Sequence, residues 1–591
     1  MSLVTLPNRE RQTEPATSSL KVPFWRKISR FDLIVLTLFG LAAGFVTARL
    51  WGHPRTRLLI NEQDQIFFQW VLAHGARVAR GAQYPFFTEL LNAPDGVNLM
   101  ANTSVLGLGV PLAPITWIFG AEVSFIVALT AGLCGTAFAW YWVLSRHVVT
   151  SRVAAAVGGL FCGFAPGMIS QAQGHPNLIA QFVVPFIVWR VLCLAEEGRA
   201  VRNGVILGLL VTYQAFVNEE VLLFTALACG AFLALWALQR RVFPLVFVKG
   251  LAVAGAVAVV LLAYPLWVQF FGPMHYSGLK HGYQPGADLA SFTAYGKQAL
   301  ISRGFQSPAS VHFAEETTFF GWPLFALLML IVVFLWRDVV ARSLALTGLG
   351  FALVALGPVI TIKGNPTGIK GPWAALDQLP LFDSVIPVRF GLVLTPIVGV
   401  LLALATDKVL KMPAGSLPIR GLWAGVLVAA LLPSMPTPLE ITRQEPVPHF
   451  ISAGTWRQYV EPGHTLVPVP LPTYPRPEGM RWAAVANLEF ALPRGYYLGP
   501  RDGVAGSSAQ FGAPERPTST LLEKVATTGK VPAIDATDRQ AAQEDLDYWK
   551  ASVVVLDPAH RHTGHLLDTL VQLLGPPTKV DDVWLWKVVK P

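Results

Sequence analysis

Nine residues have the types and spacing to do chemistry: Glu62 and Asp64, His175 and Asn177, Glu219 and Glu220, Lys280 and His281, and Arg389. Glu62 and Asp64 stand in Asn61-Glu62-Gln63-Asp64-Gln65, just before an apolar stretch. A carboxylate so placed can take the proton from an attacking hydroxyl or cap the helix that begins near Ile66. Gly174-His175-Pro176-Asn177 reads as a turn, which Pro and Asn explain by themselves; at a membrane-embedded turn, His175 and Asn177 can also line a site. Glu219 and Glu220 open an apolar run, where two acids are costly unless they line a wet cavity. Lys280 and His281 lie in a loop with His275, Tyr276, Tyr283 and Lys297, and they offer cations to a phosphate or are solvated loop charges. Arg389 follows Pro387-Val388 at the start of another apolar run. There an arginine snorkels to the interface or grips phosphate with its two-pronged guanidinium. Asp377 and Asp383 sit among Pro and Leu and are weaker candidates that fix a turn.

The elements that must hold these residues are set by composition. Hydrophobic residues make up 53% of the 591-residue chain and charged residues 14%, against about 25% charged in a soluble domain; the mean hydropathy is +0.49. Runs near the roughly 20 residues a bilayer demands occur at 33–51, 122–145, 153–172, 178–195, 203–217, 220–239, 243–271, 318–336, 342–362, 389–406 and 419–435. They predict a bundle of about eleven spans. A further run, 103–119, is short and carries Gly107, Gly109, Pro111 and Pro114. If it spanned, the basic loops 146–152, 199–202 and 240–241 would fall outside, against the positive-inside rule. Kept on the outer side, it brings those loops, with 337–342 and 407–420, inside. The net charge of +9 is then read as cytoplasmic anchoring and not as nucleic-acid binding.

That topology gives a cytoplasmic tail (1–32), a retained first span, and a transmembrane domain over 33–436. It gathers Asp64, His175, Glu219, Lys280 and Arg389 on the outer face. From 437 to 591 the chain turns to Pro, charge and short apolar runs at 465–468, 552–556 and 583–589, between helical patterns at 518–528, 537–550 and 563–574. This reads as a soluble α/β domain of ordinary size on the outer side. Cys134, Cys162, Cys193 and Cys229 all lie in apolar runs and read as core. The chain has no phosphate loop with Lys-Ser/Thr and no His-Glu-x-x-His. Gly506-Ser507-Ser508-Ala509-Gln510 has Gln where a nucleophile elbow needs its second glycine. Aromatic and basic residues do not interleave as in nucleic-acid binders.

The first outer loop carries the most information. After the acidic motif, apolar residues at 66, 67, 70, 71 and 78 have helical spacing and fit an amphipathic interfacial helix; the polar turn Ala93–Asn98 and the segment 103–119 follow. This layout resembles the GT-C class of integral-membrane glycosyltransferases, which includes protein mannosyltransferases, aminoarabinose transferases and the arabinofuranosyltransferases of actinobacterial walls. The resemblance covers the helical core loosely and the first loop more closely. It implies an acidic catalytic residue in that loop, two juxtamembrane helices and a lipid-phosphate sugar donor. By position Asp64 matches the acidic residue, with Glu62 as the alternative; the motif here is Glu-Gln-Asp-Gln where the class commonly has adjacent acids. A second acidic site after a later span is similar to Glu219, with Glu220 beside it.

The expected function is transfer of a sugar from a polyprenyl-phosphate donor to an extracytoplasmic acceptor: cell-wall polysaccharide, lipid-linked glycan or protein. Asp64 is the expected base and Glu219 its support. Arg389, Lys280 and His281 are the expected phosphate ligands, and His175, Asn177 and Glu220 line the acceptor side. A divalent cation is an open possibility. The other readings are a flippase for a lipid-linked glycan, which predicts inverted repeats and mid-membrane charges, and a non-catalytic cell-envelope assembly protein. The acids cluster at one face, which favours an enzyme. A bacterial plasma membrane is the expected location.

Overall fold

The structure is a computed structural model that describes residues 28–241, 245–279, 285–379, 382–413 and 417–588. Lys280, His281 and Tyr283 lie outside the described residues, as does the side chain of Asp383. Among the described residues, eight helices are long and apolar enough to cross a membrane: Ala121–Val148, Arg152–Gln171, Pro176–Cys193, Ala200–Val217, Glu219–Arg240, Val246–Phe271, Pro387–Leu410 and Leu417–Ser434. The chain is a multi-pass membrane protein. Three of the apolar runs make shorter helices: Arg30–Val46, Trp322–Leu335 and Val339–Ala355. The run at 342–362 is cut short where Gly357, at φ +76, and Pro358 lead into an exposed hairpin, Val359–Ile362 with Asn365–Lys370. The segment 103–119 is two short helices, Leu106–Gly109 and Ala113–Phe119, neither of spanning length.

Small residues let three helices approach closely. A Cβ added at Gly158 would lie 2.7 Å from the Gly399 carbonyl, one at Gly159 2.7 Å from the Ala137 carbonyl, and one at Gly163 2.5 Å from the Ala137 Cβ. Backbone proximity of this kind stands in for the hydrophobic drive that lipid does not supply. Cys162 is buried against Gly399, and all four cysteines are free thiols.

The basic loops meet at one end of the bundle. Arg146 donates to the buried Asp32 carboxylate at 2.7 Å, with the Tyr141 hydroxyl at 2.5 Å. Asp407 accepts from the Thr150 and Ser151 backbone at 3.1 and 2.7 Å. Arg342 donates to Gln239, and Arg190 to Asn203.

At the other end lie the first loop and the C-terminal region. Strand Arg57–Leu59 pairs antiparallel with Ile441–Arg443, which ties the loop after the first helix to the chain leaving the last. The helix Glu62–Ala79 is buried almost all round from Gln65 to Ala76, so it does not float in the interface with a wet polar face. The membrane bundle covers one side of it and the helix Glu478–Val485 the other. The C-terminal region builds a four-stranded sheet in the order 578–580, 583–587, 551–556, 465–469, with the last pair parallel and the others antiparallel. Strand alternation sends Val467, Val469, Val554 and Leu556 to helices Pro517–Thr528, Ala536–Tyr548 and Thr563–Leu574, whereas Leu466, Val553, Val555 and Leu585 join the core continuous with the bundle. Both faces of the sheet are therefore covered.

Replacing Arg146 with Met would leave the Asp32 carboxylate buried without its charge partner, at a cost of about 3 kcal/mol. Thermal unfolding of the detergent-purified protein should show a clear drop for Arg146→Met, and recovery of most of it in Asp32→Asn/Arg146→Met.

Candidate active site

Six stretches distant in sequence bring polar side chains to one place at the end opposite the basic loops. The first is the start of the Glu62–Ala79 helix. Asp64 Oδ2 faces His175 Nε2 at 3.0 Å and accepts from Asn61 Nδ2 at 2.6 Å, while Oδ1 accepts from the Tyr496 hydroxyl at 2.9 Å. Burial by itself would raise the Asp64 carboxyl, but hydrogen bonds from His175, Tyr496 and Asn61, with the charge of His175, outweigh it and hold the group at about 2. Glu62 is exposed, and its charge acts on Glu478.

The second stretch is a broken helix. The backbone leaves helical geometry at Ala165, re-forms over Pro166–Gln171, turns, forms Pro176–Ile179 and breaks again at Ala180. Irregular backbone within spanning segments persists only where protein buries it or it lines a cavity. Gly174 lets this turn close on the first loop, because a Cβ there would lie 2.7 Å from Asn61 Nδ2 and 3.2 Å from Asp64 Cβ. His175 is thus pressed against Asp64, and Asn177 is buried beside it.

Glu220 begins the helix that Asn218 caps, its Oδ1 accepting from the Val221 N–H at 2.7 Å. Arg389 comes from the 3-10 turn Pro387–Val393. Glu315 comes from a loop threaded between the broken helix and that turn: Ser170 Oγ accepts from the Glu316 N–H at 2.7 Å, and Thr317 Oγ1 donates to the Val388 carbonyl at 2.6 Å. Arg389 sits between the two acids. Its Nε and Nη2 reach Glu315 Oε1 at 2.9 and 2.6 Å, and its Nη1 reaches Glu220 Oε2 at 2.9 Å. Gln171 donates to Glu315 Oε2 at 2.8 Å. Burial would raise the Glu315 carboxyl, but the charge and hydrogen bonds of Arg389 hold it below its ordinary range. The His175 backbone N–H donates to the Gln171 carbonyl at 2.9 Å, and the Gln171 side chain donates to Glu315, so the broken helix joins the Asp64 pair and the Arg389 triad into one site.

Of the residues expected from sequence, the structure brings together Asp64, His175, Glu220 and Arg389. Glu219 points the other way. It accepts from Gln269 at 2.8 Å and faces Tyr276, and no hydrogen bond or ion pair joins it to Asp64 among the described residues. Lys297 pairs with Glu440 at 2.7 Å. Glu315, Gln171 and Tyr496 were not anticipated. Glu315-Glu316 directly precedes an apolar run, the same pattern that singled out Glu219-Glu220, and applying it there would have found Glu315. Tyr496 carries no local signal. Several polar atoms at the site are buried without a protein partner: Glu220 Oε1, Gln171 Oε1, His175 Nδ1 and both side-chain polar atoms of Gln173. Buried polar groups are otherwise almost always satisfied, so these atoms suit a ligand or water. No group of three or more His, Cys, Asp or Glu side chains among the described residues is arranged to hold a metal ion.

The family model described as Domain of unknown function (DUF6311) matches residues 45–406, well over half of the chain, and the chain belongs to that family. No curated protein matches the sequence. Among solved structures, the fold is similar to the apo oligosaccharyltransferase of Archaeoglobus fulgidus, with 12% identity over 90% of this chain and 70% of that one and a TM-score of 0.45. The same archaeal enzyme in complex with an inhibitory peptide and a dolichol-phosphate gives 12% identity, 91% and 70% coverage and a TM-score of 0.42. A mycobacterial arabinofuranosyltransferase gives 13% identity over 92% of this chain and 38% of that one, with a TM-score of 0.48.

The depressed Asp64 carboxyl sets a pH dependence. A folded value near 2, below the ordinary 3.8, contributes stability that is fully present above pH 3.8 and lost as the pH falls through 2. The unfolding free energies of the native protein and Asp64→Asn should therefore differ by about the same amount from pH 6 to 4, on the order of 2 kcal/mol. The two should converge as the pH approaches 2.

Proposed function

We propose that the chain is a membrane glycosyltransferase that moves a sugar from a polyprenyl-phosphate donor to an acceptor on the extracytoplasmic side. The observation that carries this reading is the convergence of the Asp64–His175 pair and a clamped arginine at one face, opposite the basic loops. By the positive-inside rule that basic end is cytoplasmic, which puts the site and the C-terminal region outside and the N-terminus inside a plasma membrane. A site open to one face suits an enzyme, whereas a flippase needs access from both.

In the proposed reaction the acceptor hydroxyl replaces Tyr496 at Asp64 and attacks the anomeric carbon. The new carbon–oxygen bond forms as the bond to the phosphate breaks. The hydroxyl proton passes to the Asp64–His175 pair, and the lipid phosphate keeps the electron pair of the broken bond. The Asp64 carboxylate is ionised before the acceptor arrives, and the His175 ring on Oδ2 orients it so that Oδ1 takes the proton. Arg389 has five N–H donors. Three go to Glu315 and Glu220, which leaves two for the donor phosphate, and pairing on both flanks fixes the plane in which they are offered. Lys280 and His281 remain the candidates for a second phosphate contact, Asn177 for the acceptor side, and Glu219 for support at the margin. Glu62 is the alternative base.

With membranes supplied with a lipid-phosphate sugar, Asp64→Asn should lower transfer by about 100-fold or more while Glu62→Gln stays near the native rate. Native-like transfer by Asp64→Asn would overturn the assignment. Arg389→Lys keeps the charge but loses the fork; it should raise the KM for donor more than it lowers kcat.

A further inference from the structure

Beyond Tyr496 the site continues onto an aromatic surface that the transfer reaction does not use. The Tyr496 ring stands 6.0 Å from Phe511 and 5.6 Å from Tyr474, and Tyr474 stacks on Phe511 at 5.3 Å with their planes 25° apart. Phe67, on the same helix as Asp64, meets Tyr496 edge-on at 5.9 Å. Tyr474 and Phe511 remain 49% and 45% exposed. The three rings come from separate stretches of the C-terminal region, Phe511 from a short strand, and Tyr496 is hydrogen-bonded to Asp64. Large aromatic rings held half-open at the rim of a polar site are unusual outside binding surfaces.

We propose that this triangular cluster is a sugar-binding platform and that the acceptor is a glycan, whose ring next to the attacked hydroxyl lies with its C–H face on the exposed sides of Tyr474 and Phe511. The inference rests on the glycosyltransferase reading and narrows its acceptor. A pyranose or furanose ring has the matching chemistry: an apolar C–H face for the aromatic rings and hydroxyls at its edge for a carboxylate acceptor. A peptide that binds by adding a strand fits less well, because that mode takes its affinity from a free strand edge. The hairpin that carries Phe511, Leu498–Pro500 with Ala509–Phe511, has both edges occupied. Along one, Ser277 and Gly278 bond to Ser507 and Ala509; along the other, Asn102 takes both polar groups of the Leu498 backbone.

The test is saturation-transfer NMR on the full-length protein in detergent, with neutral galactan, arabinan, mannan and rhamnan oligosaccharides of defined length as probes. At least one should show transfer confined to C–H protons of one face. Tyr474→Ala/Phe511→Ala should weaken its binding about tenfold or more, whereas Tyr474→Phe and Phe511→Tyr, which keep the rings, should not. Binding by none of the four glycans, or binding indifferent to the double substitution, overturns the platform; so does preferential binding of an aromatic peptide. Asp64→Asn separates the two readings. If it still binds the glycan through the Tyr474 and Phe511 rings but transfers nothing, both stand. If the native protein binds the glycan through the rings yet no donor supports turnover, the platform stands and the enzyme reading falls.

Discussion

The structure depends on one constraint: an arginine and two carboxylates at the end of an apolar bundle must pair with one another. Arg389 between Glu315 and Glu220 meets it, and each partner comes from a different part of the chain: a spanning helix start, a threaded loop and a 3-10 turn. Removing any one would leave a largely buried charge, which costs far more than the intact arrangement contributes. The triad is thus weak evidence for stability but strong evidence for position. It also leaves the site formally acidic, with Asp64, Glu220 and Glu315 against a single guanidinium.

The breaks in the helix around His175 follow from the same demand. A continuous helix from 152 to 193 would hold its polar groups along a straight axis and could not press His175 onto Asp64. Pro166 and Pro176 start short helical pieces, and Gly174 removes the side chain that would keep the turn away from Asn61. The orphaned atoms of Gln171, Gln173 and His175 all belong to this irregular stretch.

Much of this was legible in the residues. Hydropathy located the membrane helices, and the charge of the loops separated 103–119 from them. The acid before an apolar run flagged Glu220, and position in the first loop flagged Asp64. Local rules failed where long-range packing decides. Glu219 and Glu220 share one sequence signal, but the 100° turn between consecutive helical residues sends one to Gln269 and the other to Arg389. The helix after Asp64 carries an interfacial pattern, yet it is buried because the Glu478–Val485 helix covers its other side. Tyr496 was invisible because nothing near it in sequence is polar in a telling way; its meaning comes from a partner 432 residues away.

That separation has a consequence for how the protein is made. Asp64 leaves the ribosome early, and its hydroxyl partner and the paired strand at Ile441–Arg443 emerge only after the last spanning helix. During most of synthesis the bundle therefore carries an unfinished site, without its third hydrogen bond and without the surface beyond it. The polar cluster around Asp64 is completed last, when the segment carrying Tyr496 packs against the helices already in the membrane.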